Sequence, residues 1–165
     1  MLLIEEKDEK NKKPCGGLLA PDAQRALAKF KLSLPSELLS DPQIFAVEVI
    51  DLQSKITRYY QRHYLNMDRY SFDKYLVSLV PKGVDIALGR CTKINRENDI
   101  FTVMLRTSDG EKSYSAKSIV GADGASSIVK KELFHSSIYR YTSIQEWYKC
   151  NRDALPLYSC IFDKT

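Results

Sequence analysis

The spacing of hydrophobic and polar residues along the chain predicts a mixed α/β fold. Short runs of apolar, β-branched and aromatic residues indicate strands at 2–4, 44–50, 56–60, 84–88, 100–106 and 112–120. The first run ends in acidic residues, which is typical of the end of a buried parallel strand. A turn at 51–54 separates the second and third runs, and Asp109-Gly110 is a hairpin turn between the last two. Both pairs of runs therefore predict antiparallel strands, and 64–67 is expected to continue the first sheet.

Two amphipathic helices and one shorter helical stretch are predicted between these strands. The first begins at Pro21, because proline is favoured at the first helical position. The second begins after Asp68, a capping residue, and runs to about residue 79 before Pro81. The third follows Ser127. The expected buried faces are Ala23, Leu27 and Phe30 in the first helix and Phe72, Tyr75, Leu76 and Leu79 in the second.

Composition places the chain among ordinary globular proteins. It has 165 residues, of which 44% are hydrophobic and 28% are charged, enough for one domain with a sizeable core. No apolar run approaches the roughly 20 residues of a membrane span. Charged residues follow Met1–Ile4 directly, where a signal peptide would continue. We therefore expect a cytoplasmic protein without a transmembrane segment, and leave peripheral contact with a membrane open.

Charge and cysteine spacing argue against several classes of site. The net charge is +4, and the basic residues are spread along the chain instead of forming a basic face, so no nucleic-acid partner is expected. The four cysteines contain no Cys-x-x-Cys pair and are interpreted as free thiols. His63 and His135 lack the spacing of metal ligands, so no metal site is expected.

The stretch from Ile119 to Ser127 is the strongest candidate for a ligand-binding turn. An apolar run ends in Gly-Ala-Asp-Gly and leads directly into a helix. Small residues allow the backbone to approach a phosphate or sugar closely, and an aspartate at a strand end accepts hydrogen bonds from a ribose. The alternative is an ordinary turn in which Asp123 or Ser126 caps the following helix.

Four segments, in this order, resemble the group-A flavoprotein family that includes geranylgeranyl reductases and p-hydroxybenzoate-hydroxylase-like monooxygenases. They are Leu2-Leu3-Ile4-Glu5, Pro14-Cys15-Gly16-Gly17, Arg69-Tyr70-Ser71-Phe72-Asp73-Lys74-Tyr75-Leu76 and Gly121-Ala122-Asp123-Gly124-Ala125-Ser126-Ser127. The second is similar to the Pro-Cys-Gly-Gly turn of the reductase branch, and the fourth to the family's Asp-Gly motif. The resemblance covers residues 1 to about 130.

The resemblance implies a set of FAD-binding residues. Glu5 would bind the adenosine ribose, with Glu6 as the alternative in a shifted register. Arg69 would contact the diphosphate, to which a guanidinium is suited. Asp123, with Gly124 beside it, would hydrogen-bond near the ribityl and diphosphate portion. The structural alternatives are a surface glutamate for Glu5, a surface arginine for Arg69 and a helix cap for Asp123. Glu5, Arg69 and Asp123 are expected to converge on one groove.

Cys15 is the candidate catalytic residue. The resemblance places it near the isoalloxazine ring and the substrate. The alternative is a small buried residue in a tight turn.

The printed chain lacks the family's dinucleotide-binding glycine loop. In the family, Gly-x-Gly-x-x-Gly lies roughly 20 residues before the acidic strand end, and here that acid is residue 5. None of the seven glycines makes this pattern. We therefore expect an incomplete chain that binds FAD weakly or not at all, and that is marginally stable or associates because its sheet lacks a central strand.

The expected fold class is α/β, a partial Rossmann-like (three-layer ββα) FAD-binding domain with an interleaved antiparallel substrate region. The expected boundaries are 1–40 for the FAD-binding domain, 41–66 for an antiparallel segment of the substrate domain, 67–135 for the continued FAD-binding domain and 136–165 for the start of the remaining substrate domain.

The expected function is that of an FAD-dependent, geranylgeranyl-reductase-like oxidoreductase. In the intact relative, reduced flavin would transfer hydride to an isoprenoid-type double bond of a small hydrophobic substrate, with NAD(P)H or another electron donor. One alternative is an FAD-dependent aromatic monooxygenase. The other is a non-enzymatic scaffold or interaction module without bound flavin, and we expect this chain by itself to be inactive.

Overall fold

The computed structural model describes residues 1–6, 14–136, 139, 141–149, 153 and 155–164. Their elements are β1 (Leu2–Glu5), β2 (Leu18–Leu19), α1 (Pro21–Lys29), β3 (Ile44–Asp51), β4 (Ile56–Asn66), α2 (Arg69–Ser78), β5 (Asp85–Leu88), β6 (Arg90–Glu97), β7 (Ile100–Thr107), β8 (Gly110–Ala116), α3 (Ile128–Phe134) and β9 (Leu157–Phe162). Short 3₁₀ turns occupy Ser36–Leu38 and Gly124–Ser126. The predicted α/β class is confirmed at this level.

The chain forms two compact units and passes from one to the other and back. The first unit comprises Met1–Asn11 and Val80–Ser143, and the second comprises Lys12–Leu79 and Ile144–Thr165. These units divide the chain differently from the expected boundaries. Because β2 pairs with β4, the turn before β2 belongs with the antiparallel sheet of the second unit.

The first unit contains a short parallel sheet and an antiparallel meander. β1 and β5 pair in parallel, from Leu2 opposite Asp85 to Glu5 opposite Leu88. β6, β7 and β8 form the meander in that order. Leu105 in the central strand is completely buried. The parallel pairing of the first strand is as expected, but a three-layer Rossmann-like sheet is not seen among the described residues.

The second unit is a four-stranded sheet of order β2-β4-β3-β9, accompanied by α1 and α2. β9 lies parallel to β3, whereas β4 is antiparallel to both β3 and β2. The hydrophobic core cluster consists of Leu19, Leu38, Met67 and Phe72. Ala23, Leu27 and Tyr75 pack against it from the two helices, so the hydrophobic spacing of both helices was interpreted correctly for these residues.

Local residue chemistry explains where the helices begin. α1 begins at Pro21, and the Asp68 carboxylate accepts a 2.7 Å hydrogen bond from the Ser71 N–H at the start of α2. Both starts were predicted. Phe30, however, lies just beyond α1 and is 76% exposed, so its assignment to the buried face was wrong. Leu76 and Leu79 are also largely exposed.

The meander differs from the prediction at both ends. β8 ends at Ala116 instead of continuing to residue 120; Ala116 pairs with Phe101, the second residue of β7, so the partner strand ends one residue further on. Val120 consequently lies outside any strand and is 91% exposed. β6 was missed, since four of its eight residues are charged and only one, Ile94, is buried.

Candidate functional site

The Asp123 carboxylate is fully engaged in the turn that leads into α3. It accepts hydrogen bonds from the Ser127 hydroxyl at 2.5 Å, the Ile128 N–H at 2.7 Å and the Val129 N–H at 3.1 Å. Ser127 in turn accepts from the Lys130 N–H at 3.0 Å. These bonds satisfy N–H groups that the first turn of a helix leaves without intrahelical partners. The capping interaction considered as the alternative is therefore present.

The same contacts set the charge state of this carboxyl. Partial burial by itself would raise the pKa of Asp123, but the hydrogen bonds from Ser127, Val129 and Ile128 outweigh it and lower the pKa below its ordinary value. Partial burial raises the pKa of the nearby Cys91 thiol, and the negative charges of Asp123 and Glu132 raise it further. The pKa values of the two groups therefore move in opposite directions, downward for the Asp123 carboxyl and upward for the Cys91 thiol.

We expect Asp123→Ala to lower the free energy of unfolding by about 1 kcal/mol at neutral pH, as the loss of a helix cap does. The native pKa is depressed, so this stabilisation is present above the unfolded-state pKa of about 3.9 and disappears as the pH falls through the lower native value. Urea unfolding of both proteins at several pH values measures the difference. A difference that persisted undiminished far below pH 3.9 would show that the carboxylate charge is not responsible.

Glycine allows the Asp123 turn to pack closely against α3. A Cβ atom at Gly121 would lie 2.8 Å from Val129 Cγ1 and 2.9 Å from Val129 Cβ. Gly124 has φ +74, and a Cβ added there would meet no atom within 4 Å. Glycine is therefore required at this position by the backbone conformation alone. The two glycines of the motif therefore serve different purposes, close packing and a left-handed backbone.

Glu5 is the last residue of β1, and its carbonyl accepts a 2.9 Å hydrogen bond from the Gly89 N–H. Glu6 follows the strand, and its carboxylate lies 3.6 Å from the Arg90 Nε in an exposed ion pair. The choice between Glu5 and Glu6 as the ribose ligand stays a prediction.

The Cys15 turn in the second unit is held by contacts to distant parts of the chain. The side-chain amide of Gln145 accepts from the Cys15 N–H at 2.6 Å and donates to the Cys15 carbonyl at 2.7 Å. Gly17 has φ +73, and its carbonyl accepts a 2.8 Å hydrogen bond from the Met67 N–H. The backbone on both sides of the thiol is thereby fixed.

Arg69 lies at the start of α2 and reaches the Cys15 thiol. Its Nε lies 2.8 Å from Asp73 Oδ1, and its Nη1 lies 3.7 Å from Cys15 Sγ. Burial would lower the pKa of Arg69, but the hydrogen bonds to Asp73 and Cys15 raise it above its ordinary value. The Cys15 sulfur also accepts from the Gly17 N–H at 3.5 Å, so two donors, one of them cationic, point at this sulfur.

The predicted site residues are divided between the two units, and the structure shows one pair of them in contact. Glu5, Asp123 and Gly124 belong to the first unit, whereas Cys15 and Arg69 are in contact within the second. Sequence reasoning missed Gln145, because nothing in a segment without regular secondary structure signals a partner 130 residues away. Asp73 could have been found from its helical i,i+4 spacing to Arg69.

In the part of the chain that the structure describes, no cluster of three or more His, Cys, Asp or Glu side chains is arranged to hold a metal ion. Over the same residues, every helix is too short or too polar to cross a bilayer.

Comparisons with known proteins show a clear relationship to longer chains. No protein-family model matches the chain. It is 44% identical over 153 residues to Protein CbrA of Shigella dysenteriae serotype 1, covering 92% of this chain and 43% of that protein. It is 43% identical over 155 residues to Protein CbrA of Escherichia coli strain K12, covering 93% and 44%. The chain therefore spans less than half the length of these relatives.

Several solved structures share the fold. Pseudomonas aeruginosa PqsL in complex with 2-aminobenzoylacetate has a TM-score of 0.63 at 18% identity, over 86% of this chain and 41% of PqsL. The flavin-dependent brominase Bmp2 has a TM-score of 0.64 at 20% identity, over 79% and 34%. Klebsiella pneumoniae HpxO, complexed with FAD and uric acid, has a TM-score of 0.54 at 17% identity, over 78% and 34%. At these identities the similarity shows the fold alone.

Proposed function

We propose that the longer protein to which this chain corresponds is an FAD-dependent oxidoreductase that hydroxylates a small aromatic substrate. The supporting observation is the fold shared with a flavin-dependent brominase, with HpxO complexed with FAD and with p-nitrophenol 4-monooxygenase from Pseudomonas putida, each over about four fifths of the chain. The flavin supplies the redox chemistry when it is bound, and the protein positions and shields it. NAD(P)H is the proposed electron donor.

Within this proposal the candidate residues keep the roles that the resemblance implies. Glu5, at the end of β1, would bind the adenosine ribose, and Arg69 would contact the diphosphate. Asp123 and Gly124 would lie near the ribityl chain, with a carboxylate oxygen shared between the helix N–H groups and the cofactor. Cys15 would line the substrate side of the flavin. Convergence of these residues on one groove remains part of the proposal.

A reductase is the second candidate, and one observation favours it. The Pro14-Cys15-Gly16-Gly17 turn resembles that of geranylgeranyl reductases, and Gln145 and Arg69 hold its thiol in a defined position. None of the structures named above is an isoprenoid reductase, so hydride transfer to an isoprenoid double bond is the less supported of the two reactions.

The printed chain by itself is proposed to retain little or no FAD. It contains no Gly-x-Gly-x-x-Gly loop, and the backbone N–H groups of that loop are the usual diphosphate ligands. Without this loop the chain would act as a scaffold at most. Stoichiometric flavin absorbance in a purified sample of the 165 residues would contradict this expectation.

The decisive experiment uses the full-length protein. We expect it to purify with flavin and, with an aromatic substrate, to consume O₂ and NAD(P)H in equal amounts while forming one hydroxylated product and water. Saturation of an isoprenoid double bond under anaerobic conditions, without O₂ uptake, would establish the reductase instead. Absence of bound flavin under all conditions would leave only the scaffold.

The role of Asp123 is separated from its capping role by a matched pair of variants of the full-length protein. Asp123→Ala removes both the cap and the proposed cofactor contact, whereas Ser127→Ala removes the two hydrogen bonds of the Ser127 hydroxyl, to Asp123 and from Lys130, and leaves the carboxylate. We expect FAD affinity to fall about tenfold, the equivalent of one charge-assisted hydrogen bond, only in Asp123→Ala. Equal loss in both variants would reduce Asp123 to a structural residue.

A further inference from the structure

The side-chain amide of Gln145 bonds to the backbone of Cys15 as a neighbouring strand would. It accepts from the Cys15 N–H at 2.6 Å and donates to the Cys15 carbonyl at 2.7 Å, the same exchange that joins a hydrogen-bonded pair of residues in an antiparallel sheet. The regular strand β2 begins only at Leu18. Among the described residues, no other group bonds to the backbone of Cys15. Its position in the turn therefore depends on one distant side chain.

Gln145 is also the attachment point of its own segment. It is half-buried, whereas Ile144, Trp147 and Tyr148 are 87%, 81% and 81% exposed. Within the described part of the chain, the two bonds to Cys15 are the only hydrogen bonds that join residues 144–149 to another segment. The amide thus ties together two segments without regular secondary structure, and both belong to the second unit.

The Cys15 sulfur lies beside a positive charge. Arg69 Nη1 donates to Cys15 Sγ at 3.7 Å, and the Gly17 N–H donates to it at 3.5 Å. Asp73, one turn along α2, holds Arg69 Nε at 2.8 Å and so orients the guanidinium. The thiol is only partly buried, and partly exposed thiols in electropositive surroundings are the ones that react. The surroundings of this sulfur therefore depend on where the turn places it.

We propose that Gln145 is a positioning residue that keeps the Cys15 thiol in contact with the Arg69 guanidinium. The turn stays fixed on its other side without Gln145, because the Gly17 carbonyl accepts from the Met67 N–H at 2.8 Å. Without the Gln145 amide, the Cys15 backbone loses both of its bonds and the side chain is free to rotate away from Arg69. Any part in catalysis rests on the proposed function, in which Cys15 lines the substrate side of the flavin, but the positioning itself requires no flavin.

Alkylation of the 165-residue chain with iodoacetate and iodoacetamide measures this contact. With either reagent the sulfur displaces iodide and forms a thioether, but only iodoacetate is negatively charged. The ratio of the two rate constants therefore reports the charge beside each thiol, independently of how much thiolate is present. We expect the ratio at Cys15 to exceed that at Cys91, which lies near the negative charges of Asp123 and Glu132, by at least about threefold. Mass spectrometry of the digested chain resolves the two cysteines.

Variants of the same chain identify the residue responsible. Gln145→Met keeps the length of the side chain and removes both hydrogen bonds, so the ratio at Cys15 should fall by about threefold, as it should in Arg69→Gln. The matched control Gln24→Met removes an amide that donates to two backbone carbonyls of the same unit, at 2.8 and 3.0 Å, and should leave the ratio unchanged. If Gln145→Met does not fold by circular dichroism, Gln145→Asn, whose amide is one methylene too short to make both bonds, replaces it with the same expected loss.

Several results would overturn the proposal. They are equal ratios at Cys15 and Cys91 in the wild-type chain, no reaction of Cys15 in the native chain, and a wild-type ratio in the folded Gln145 variant. An equal loss in Gln24→Met would also overturn it, because it would indicate general loosening of the unit. Absence of flavin from the full-length protein would refute the proposed function and leave these ratios untouched, so the two failures are distinguishable.

Discussion

Replacing Gly17 by alanine is expected to lower the free energy of unfolding by about 3 kcal/mol, the sum of a strained backbone and an overpacked contact. The backbone at Gly17 has φ +73, which side chains other than glycine rarely adopt. An added Cβ would also lie 2.4 Å from the Met67 carbonyl oxygen, a backbone atom that cannot move without disturbing the pairing of β2 with β4.

The neighbouring glycine provides the control for this prediction. A Cβ at Gly16 would meet no atom within 4 Å. Gly16→Ala should therefore change stability by less than about 1 kcal/mol, since it mainly restricts the unfolded chain. Urea unfolding followed by circular dichroism compares the two variants. If Gly16→Ala and Gly17→Ala lost stability equally, the loss would come from replacing either glycine of the turn. The close approach of Gly17 to Met67 would then not be the cause.

Leu105→Ala should produce a loss of similar size in the other unit, about 3 kcal/mol. Leu105 is completely buried at the centre of the meander, and truncation removes its burial and leaves a cavity between the strands. Gly89 adds to this packing, because a Cβ there would lie 3.0 Å from Leu105 Cγ. The region cannot collapse easily to refill the space.

Ile100→Ala is the matched control on the same strand, because Ile100 is 38% exposed. Its truncation should cost about 1 kcal/mol, in proportion to the smaller apolar area that is buried. Hydrogen exchange resolved by residue would show the loss of protection within β6, β7 and β8. Equal costs for the two variants would mean that burial in the meander does not determine its stability.

Much of the fold followed from local chemistry in the sequence. Pro21 and Asp68 mark helix starts through backbone effects that act within one turn, and the Asp109-Gly110 hairpin depends on backbone conformations that glycine permits. β6 escaped detection because its only buried residue is Ile94. Its hairpin with β7 turns through Asn98 and Asp99, both with positive φ, and this Asn-Asp pair was the available signal.

The site was predictable only where its contacts are local. Asp123 capping α3 was foreseen as one of two interpretations, since the bonded residues lie within six positions. The contact of Arg69 with Cys15 was not predicted, because composition and spacing contain nothing that brings residues 54 positions apart together, and the resemblance gave the two residues separate roles. The hydrogen bonds between Gln145 and Cys15 were not predicted either. Long-range contacts of this kind depend on the assembled sheet.

The parallel pairing of β9 with β3 has a consequence for how the chain reaches its native state. Ala46 lies opposite Leu157, so this pairing must close a loop that contains the whole meander. Loop closure of this length carries an entropic cost before any contact offsets it, and proteins rich in such contacts fold slowly. During synthesis β3 would emerge long before β9 exists. We therefore expect the synthesis of β9 to determine when the second unit becomes protected from proteases.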